Sequence, residues 1–255
     1  MFLVLVYNNR AHMYRLFNYF HKQTKDKTEG GQVYIPDDES LWPKSWKTVL
    51  YKQVERAGRV LLKPHTPVEA DFYSVVSSRK SPFTFTQKTI TLDQLASFLQ
   101  LSYGENNIGS ASRRLVPSGG ARYPLELYVL ALNIEGLEPG VYHYNIKNHQ
   151  LEHYFWKVFS PGDISNYVGY PWVATGNALV VMTAVFERST QKYGSRGYRY
   201  MLLEAGHVGQ MMCMAARYLG FNTRPLSGTR DEALEELLDI DTTRESLVYA
   251  IGIGI

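Results

Sequence analysis

Apolar positions along the chain switch between two periods, and the switches divide it into elements. Met13, Leu16, Phe17 and Phe20 recur at helical spacing, predicting a helix over 9–27 with Lys22, Lys25 and Lys27 toward its C-terminal end, where cations suit the helix dipole. Over 28–70 the periodicity lapses. That stretch carries Pro36, Pro43, Pro64 and Pro67 and reads as an extended arm without a core of its own. The pattern resumes with a short helix over 72–78. Thr91 then makes an N-cap for a helix carrying Leu92, Leu95, Phe98 and Leu99, which Gly104 ends. Strands are expected over 125–132, over 140–144 and 151–155 as a hairpin, and over 178–186, which is nearly all apolar and so central. A long buried helix is expected over 198–219. Gly206, Gly209, Ala205, Ala215 and Ala216 would let it pack very closely. A helix over 231–238 and a strand over 247–253 complete the pattern. Strands and helices intermix, so the fold class expected is α+β with a mainly antiparallel sheet. The division expected is 1–70 as helix and arm, and 71–255 as the main domain.

Composition narrows the functional classes. At 255 residues with 45% hydrophobic content, the chain is long enough for a substantial core. The 19 tyrosines suit a β-rich core. The net charge of +3 comes from dispersed Lys and Arg, which speaks against a nucleic-acid partner. Cys213 is the only cysteine and sits in an apolar run, so it reads as a small core hydrophobe. It allows no intrachain disulfide and points to a reducing, cytoplasmic compartment. There is no C-x-x-C or H-E-x-x-H pattern, so no metal is implied. Met1 to Tyr7 is apolar but too short to span a bilayer and lacks signal-peptide features, so no membrane partner is expected.

Candidate chemistry concentrates in a few segments. Lys192 and Tyr193, followed by Arg196, Tyr198, Arg199 and Tyr200, place a base, an acid and fixed cations within a few residues. The segment from Arg114 through Pro117, Ser118, Gly119, Gly120, Arg122 and Tyr123 to Pro124 forms a polar turn entering a strand. Arg224, Pro225, Leu226, Ser227 and Gly228 read as a tight turn exposing backbone amides. Taken alone, each has a plainer reading: Arg79, Lys80 and Ser81 as a solvated basic turn, Lys192 as a surface cation beside a half-buried Tyr193. Together they suggest a cofactor site. His207 reads as a core histidine and Glu204 as a partner for a nearby Arg, while His21, His143 and His149 carry no constellation.

In order and spacing these motifs resemble the nitroreductase-like flavoproteins, and within them the SagB-type dehydrogenase branch that includes the azoline oxidases. The resemblance rests on Arg79 to Ser81, Arg114 to Pro124, the hairpin from Gly140, Lys192 to Tyr200, Glu204 to His207 and Tyr249 to Gly254, and covers about residues 70–255. It implies a nitroreductase-like fold, FMN at the interface of a homodimer, and the long helix at that interface. Arg79, Lys80 and Ser81 would hold the FMN phosphate and ribityl chain. Pro117, Ser118 and Gly119 would line the flavin, and Pro225, Leu226, Ser227 and Gly228 would approach its N5 and O4. Lys192 and Tyr193 would be the catalytic pair, Lys192 as base, its pKa lowered by burial and by Arg188, Arg196 and Arg199. The pattern departs from the family at Phe83, where an Arg is common, and in lacking basic residues after the last strand, so phosphate anchoring is expected to be weaker or to come from elsewhere. The implied function is oxidation of an azoline ring to an azole in a peptide or related natural product. Its partners would be a second copy of the chain, a peptide-like substrate and other biosynthetic enzymes. The alternatives are a nicotinamide-dependent nitro or quinone reductase on the same scaffold, and a non-catalytic subunit of a biosynthetic complex.

Overall fold

In the computed structural model, which describes residues 16, 18–25, 35–54, 57–86, 88–106 and 113–255, seven strands form one antiparallel sheet. They are β1 (Gly58–Leu61), β2 (Leu125–Ala131), β3 (Gly140–Asn145), β4 (Gln150–Trp156), β5 (Ala178–Val185), β6 (Asn222–Leu226) and β7 (Glu245–Gly254). Their order is β1-β4-β3-β2-β5-β7-β6, so the apolar run of β5 lies inside the sheet, between β2 and β7. Strand β1, from the proline-rich arm, pairs with β4 at one edge.

Alternation along each strand sorts side chains into two cores. On β2, Leu125, Leu127 and Val129 face one core while Tyr128 and Leu130 face the other. The first core is covered by α2 (Leu92–Tyr103) and α5 (Arg196–Tyr218), through Leu95, Phe98, Met201 and Val208. The second is covered by α3 (Pro161–Tyr167) and α6 (Asp231–Leu237), through Ile164 and Leu234. Helix α1 (Phe72–Ser78) packs on α5. Thr91 and Gln94 close a full capping box at the start of α2.

Several local expectations change. The run 178–186 stops at Val185, and Phe186 opens helix α4 (Phe186–Tyr193), which ends at Gly194 with φ +54°. Its inward residues are Arg188, Ser189 and Lys192, so no apolar period marks it in the sequence. Helix α5 is not buried all round: Leu202, Leu203, Gly206, His207 and Gln210 are exposed. A Cβ on Gly209 would stand 2.7 Å from the Tyr249 ring, whereas one on Gly206 would meet nothing within 4 Å. His207 is therefore a surface residue and not a core histidine. The expected turn at 224–228 is largely strand β6, an edge position that tolerates Pro225. Helix α3 was not anticipated, although Ser160, Pro161 and Asp163 carry its capping signature. In the N-terminal helix, residues 18–23 are helical, whereas Met13, Phe17, Lys27 and Met1 to Tyr7 lie outside the described residues. Among the described residues, no helix is long and apolar enough to cross a membrane.

Candidate active site

Lys192 is positioned by the polar face of α4. Arg188, two residues after the helix opens, is buried; its Nη2 pairs with Glu126 Oε1 at 2.5 Å and its Nη1 donates to the Tyr123 carbonyl at 3.2 Å. Ser189 Oγ donates to the Gly197 carbonyl at 3.3 Å, and α4 and α5 approach so closely there that a Cβ on Gly197 would stand 2.9 Å from the Ser189 backbone. One turn beyond Arg188, Lys192 is 1% exposed and its Nζ has no hydrogen-bond partner. The amine lies 3.3 Å from the ring centroid of Trp42 and 5.9 Å from that of Trp46. Burial, then the charge of Arg122, hold its pKa below the ordinary lysine value, against a weaker pull from Glu39. Tyr193 packs edge-on against Tyr200 at 5.0 Å, and burial raises its phenol pKa.

The Pro117 to Ala121 turn closes on this pair. Gly120 has φ +59°, and Ala121 and Tyr123 are left-handed too, at +52° and +46°. Non-glycine residues adopt that conformation at a cost, and such strain gathers at functional sites. A Cβ on Gly120 would strike the Tyr193 hydroxyl and come within 3.1 Å of Lys192 Nζ. Gly119 rests on the Tyr200 ring. Ser118 Oγ accepts from the Tyr123 N–H at 2.8 Å and also bonds Glu204. Glu204 accepts from the Tyr103 hydroxyl at 2.5 Å, and burial lifts its pKa to about 7. Its hydrogen-bond partners are thus two hydroxyls rather than the arginine expected from the sequence.

The cations also distribute differently from the expectation. Arg196 and Arg199 donate to the Thr24 and His21 carbonyls, at 3.0 and 3.3 Å, and so hold the end of the N-terminal helix. Arg188 is committed to Glu126. The cation that depresses Lys192 is Arg122, which is 2% exposed and donates to the carbonyls of Trp46 (2.6 Å), Ser45 (2.9 Å), Thr48 (3.2 Å) and Arg188 (2.9 Å). Arg122 thereby ties the helical turn Lys44–Lys47, with Trp46 in it and Trp42 just before it, over the lysine. Trp42, Trp46 and Gly120 also line a cavity of about 1010 Å³ between the arm and the Arg113 to Tyr123 segment. The arm's role escaped the sequence reading, because its tryptophans follow no period.

The remaining site residues form a second cluster. Arg79 Nη1 donates to Ser81 Oγ at 3.0 Å, and Arg79 and Lys80 are exposed. Arg224 Nη1 donates to the Ser81 carbonyl at 2.7 Å and stacks 3.9 Å from the Phe83 ring centroid, which joins 79–83 to β6. Ser227 and Gly228 follow directly, against Tyr170. The Leu226 side chain lies in the second core, so only its backbone can face a ligand. The two clusters sit at opposite ends of α5. Tyr200 touches Gly119, whereas Arg217 donates to Ser78, next to Arg79, at 2.9 Å. Those turns are about 25 Å apart at the rise of an α-helix.

One buried group was missed altogether. His143 lies between Glu126 (Nε2 to Oε2, 2.8 Å) and Glu152 (Nδ1 to Oε2, 2.9 Å) and is fully buried. Burial works against its charge, but the two carboxylates outweigh it and raise its pKa. Glu126 in turn is brought to about 2, burial being outweighed by Arg188 and His143. The alternating register of Glu126, His143 and Glu152 on three neighbouring strands was the available signal.

Residues 76–255 match the sequence profile of the nitroreductase family. A Methanocaldococcus jannaschii protein described as a nitroreductase is 30% identical over 172 residues, 68% of this chain and 86% of its own length. The trifolitoxin-processing protein TfxB of Rhizobium leguminosarum bv. trifolii is 33% identical over 56% of this chain, and the microcin B17-processing protein McbC of Escherichia coli is 33% identical over 51%. The chain spans only 39% and 49% of those two relatives. Among solved structures, an Anabaena variabilis protein described as a nitroreductase aligns over 92% of this chain and 45% of its own, with TM-score 0.68 and 25% identity. A chain of the Escherichia coli microcin synthetase complex with truncated pro-peptide bound aligns over 79% of each, with TM-score 0.61 and 24% identity. A protein of Exiguobacterium sibiricum solved in complex with FMN aligns over 74% of this chain and 90% of its own, with TM-score 0.52 and 14% identity.

Proposed function

We propose that this chain, which belongs to the nitroreductase family, is an FMN-dependent dehydrogenase that oxidises an azoline ring of a peptide to the azole. The observation that carries this reading is the Lys192 amine: buried, without a hydrogen-bond partner, and depressed in pKa beside the strained Gly120 turn. A plain nitro reduction has no need of a carbon base. The similarity to a trifolitoxin-processing protein and a microcin B17-processing protein supports a peptide substrate.

The residues present fit FMN. Arg79, Lys80 and the Ser81 hydroxyl offer an exposed cationic donor set suited to a phosphate, with Arg224 beneath them in place of the missing basic residue at Phe83. Pro117, Ser118 and Gly119 would line the ring, as would the backbone from Pro225 to Gly228. Because the two sets lie at opposite ends of α5, one cofactor would draw them from two copies of the chain. The exposed apolar surface of α1 and α5, with Phe72 79%, Tyr73 76% and Leu203 56% exposed, would be buried in that homodimer.

Bound FMN would supply the two-electron acceptor for a hydride. This chain supplies the proton side. A ring C–H is not acidic enough to ionise unaided, so a neutral amine must receive the proton as the hydride leaves. Burial keeps Lys192 closer to that neutral form at neutral pH than an exposed lysine. Tyr193, whose hydroxyl meets the same Gly120 turn as the amine, would relay the proton outward. Trp42 stands between Lys192 and the cavity, so its side chain must turn aside for a ring carbon to reach the amine. The test is incubation of the FMN-loaded protein with a thiazoline peptide under air, followed by mass spectrometry. Loss of two hydrogens is expected; an unchanged peptide alongside rapid nitroarene reduction would overturn the reading.

A further inference from the structure

Arg114 is 6% exposed, yet its Nε and Nη2 have no hydrogen-bond partner, and its Nη1 reaches only the Leu125 carbonyl at the outer limit of 3.5 Å. Its guanidinium is stacked 4.2 Å from the ring centroid of Tyr103 and 4.9 Å from that of Tyr123. The rings fix the plane and leave the edge of the fork unused. Among the described residues no carboxylate bonds it, although its charge acts on Glu126 and Glu204 through space; Glu105, opposite it across the strand pair, accepts from the Tyr51 hydroxyl. Glu126 is paired to Arg188 and His143, and Glu204 is bonded to Tyr103 and Ser118 with its pKa lifted to about 7. A guanidinium buried with unused donors is costly, and an anion that bonds those donors offsets the cost. Arg114 lines the cavity of about 1010 Å³ whose wall includes Ser118 and Gly120, the residue against Lys192. Lys47 and Arg113 line it too, and among the described residues the carboxylate in its lining is Glu39.

We propose that Arg114 is a substrate-specificity residue: it receives a carboxylate of the peptide, bidentate through its free fork, while the ring to be oxidised lies at the Gly120 end of the same cavity. This rests on reading the Lys192 cavity as the reaction site. A planar fork with unused parallel donors suits a planar carboxylate better than a spherical anion. The carboxylate can come from an acidic side chain or from the peptide's C-terminus, and both present the same chemistry.

The test uses the FMN-loaded protein and three thiazoline pentapeptides of otherwise identical sequence. One has a free C-terminus and neutral side chains, one has an amidated C-terminus and a single aspartate, and one is amidated and neutral. Binding is followed by quenching of tryptophan fluorescence, since Trp42 and Trp46 line the cavity. At least one acidic peptide should bind about tenfold or more tighter than the neutral one, and which of the two does so identifies the source of the carboxylate. Arg114→Gln should reduce that preference to within about twofold, and Arg114→Lys, which keeps the charge but not the fork, should retain part of it. Equal binding of all three peptides by the wild type, or no binding, overturns the proposal without recourse to any variant. So does loss of FMN in a folded Arg114→Gln protein, which would give the residue to the cofactor. Tight, carboxylate-selective binding without oxidation would leave the subsite standing and remove azoline oxidation instead.

Discussion

The Nζ of Lys192 lies 3.3 Å from the centroid of the Trp42 ring, on a segment that Arg122 anchors through three of its carbonyls. The ring keeps water from the amine and adds a cation–π contact to whatever charge it carries. Desolvation is the largest influence on this lysine and lowers its pKa. Trp42→Ala should therefore admit water and raise that pKa. A base works in its neutral form, so the rising limb of the kcat/KM profile for azoline oxidation should move to higher pH. An unshifted limb would mean that the tryptophan does not set the base.

Arg122→Ala should release the tryptophan turn. Four backbone carbonyls lose a charged donor, one of them on Arg188, deep in the site. The loss should cost about 2–4 kcal/mol of stability, read as a lowered denaturation midpoint. The variant should also redden the tryptophan emission as Trp42 and Trp46 become exposed. Wild-type stability and emission together would show that the arm is held by other contacts.

The buried His143 makes the fold sensitive to alkali. Both its ring nitrogens face carboxylate oxygens, so both must donate, which only the imidazolium can do. Its folded pKa is raised above the ordinary 6.5. The stability it contributes is thus fully present below about pH 6.5 and is lost as the pH rises through the folded value. The thermal midpoint should fall over that range. His143→Gln should be destabilised by roughly 3–5 kcal/mol, because a buried charged network loses a partner, and should lack the slope. An identical slope in wild type and variant would assign it to another group.

The two-copy site is tested on the exposed face of α5. Leu203 is 56% exposed there and belongs to neither core. Leu203→Glu should give a folded monomer by light scattering that has lost FMN. A monomer that still holds FMN stoichiometrically would contradict a site shared between copies.

How far the sequence revealed this arrangement depends on whether apolar period or polar burial defined each part. The N-cap Thr91, the nearly all-apolar β5 and the strand β2 announce themselves, since their pattern and their packing coincide. The site does so only in part. Lys192, Tyr193 and the Ser118 to Gly120 turn were marked by residue type, and the structure places Gly120 against the pair. The sequence was silent on α4, whose inward side is Arg188, Ser189 and Lys192, because polar burial leaves no hydrophobic period. It was silent on Trp42 and Trp46 as well, whose place depends on Arg122, a contact across more than seventy residues. His143 looked inert because its two partners lie on different strands, and only the pairing register brings them together.

Phosphate anchoring can be read from one side chain. Arg79 bonds Ser81 and lies beside the strand that carries Pro225. Arg79→Ala should weaken FMN binding about tenfold or more, measured by flavin fluorescence titration, because a charge-assisted bond to phosphate is lost. Unchanged affinity would make Arg79 an ordinary surface cation.

The central claim is that Lys192 is the base, and single-turnover flavin reduction by a thiazoline peptide under anaerobic conditions addresses it most directly. Lys192→Ala should retain FMN and the dimer but reduce the flavin about 10²–10⁴-fold more slowly, the usual scale for a positioned acid or base, with Tyr193→Phe affected less. Wild-type rates in a Lys192→Ala protein that still carries FMN would contradict the account, and loss of FMN from that variant would make the lysine a cofactor residue instead.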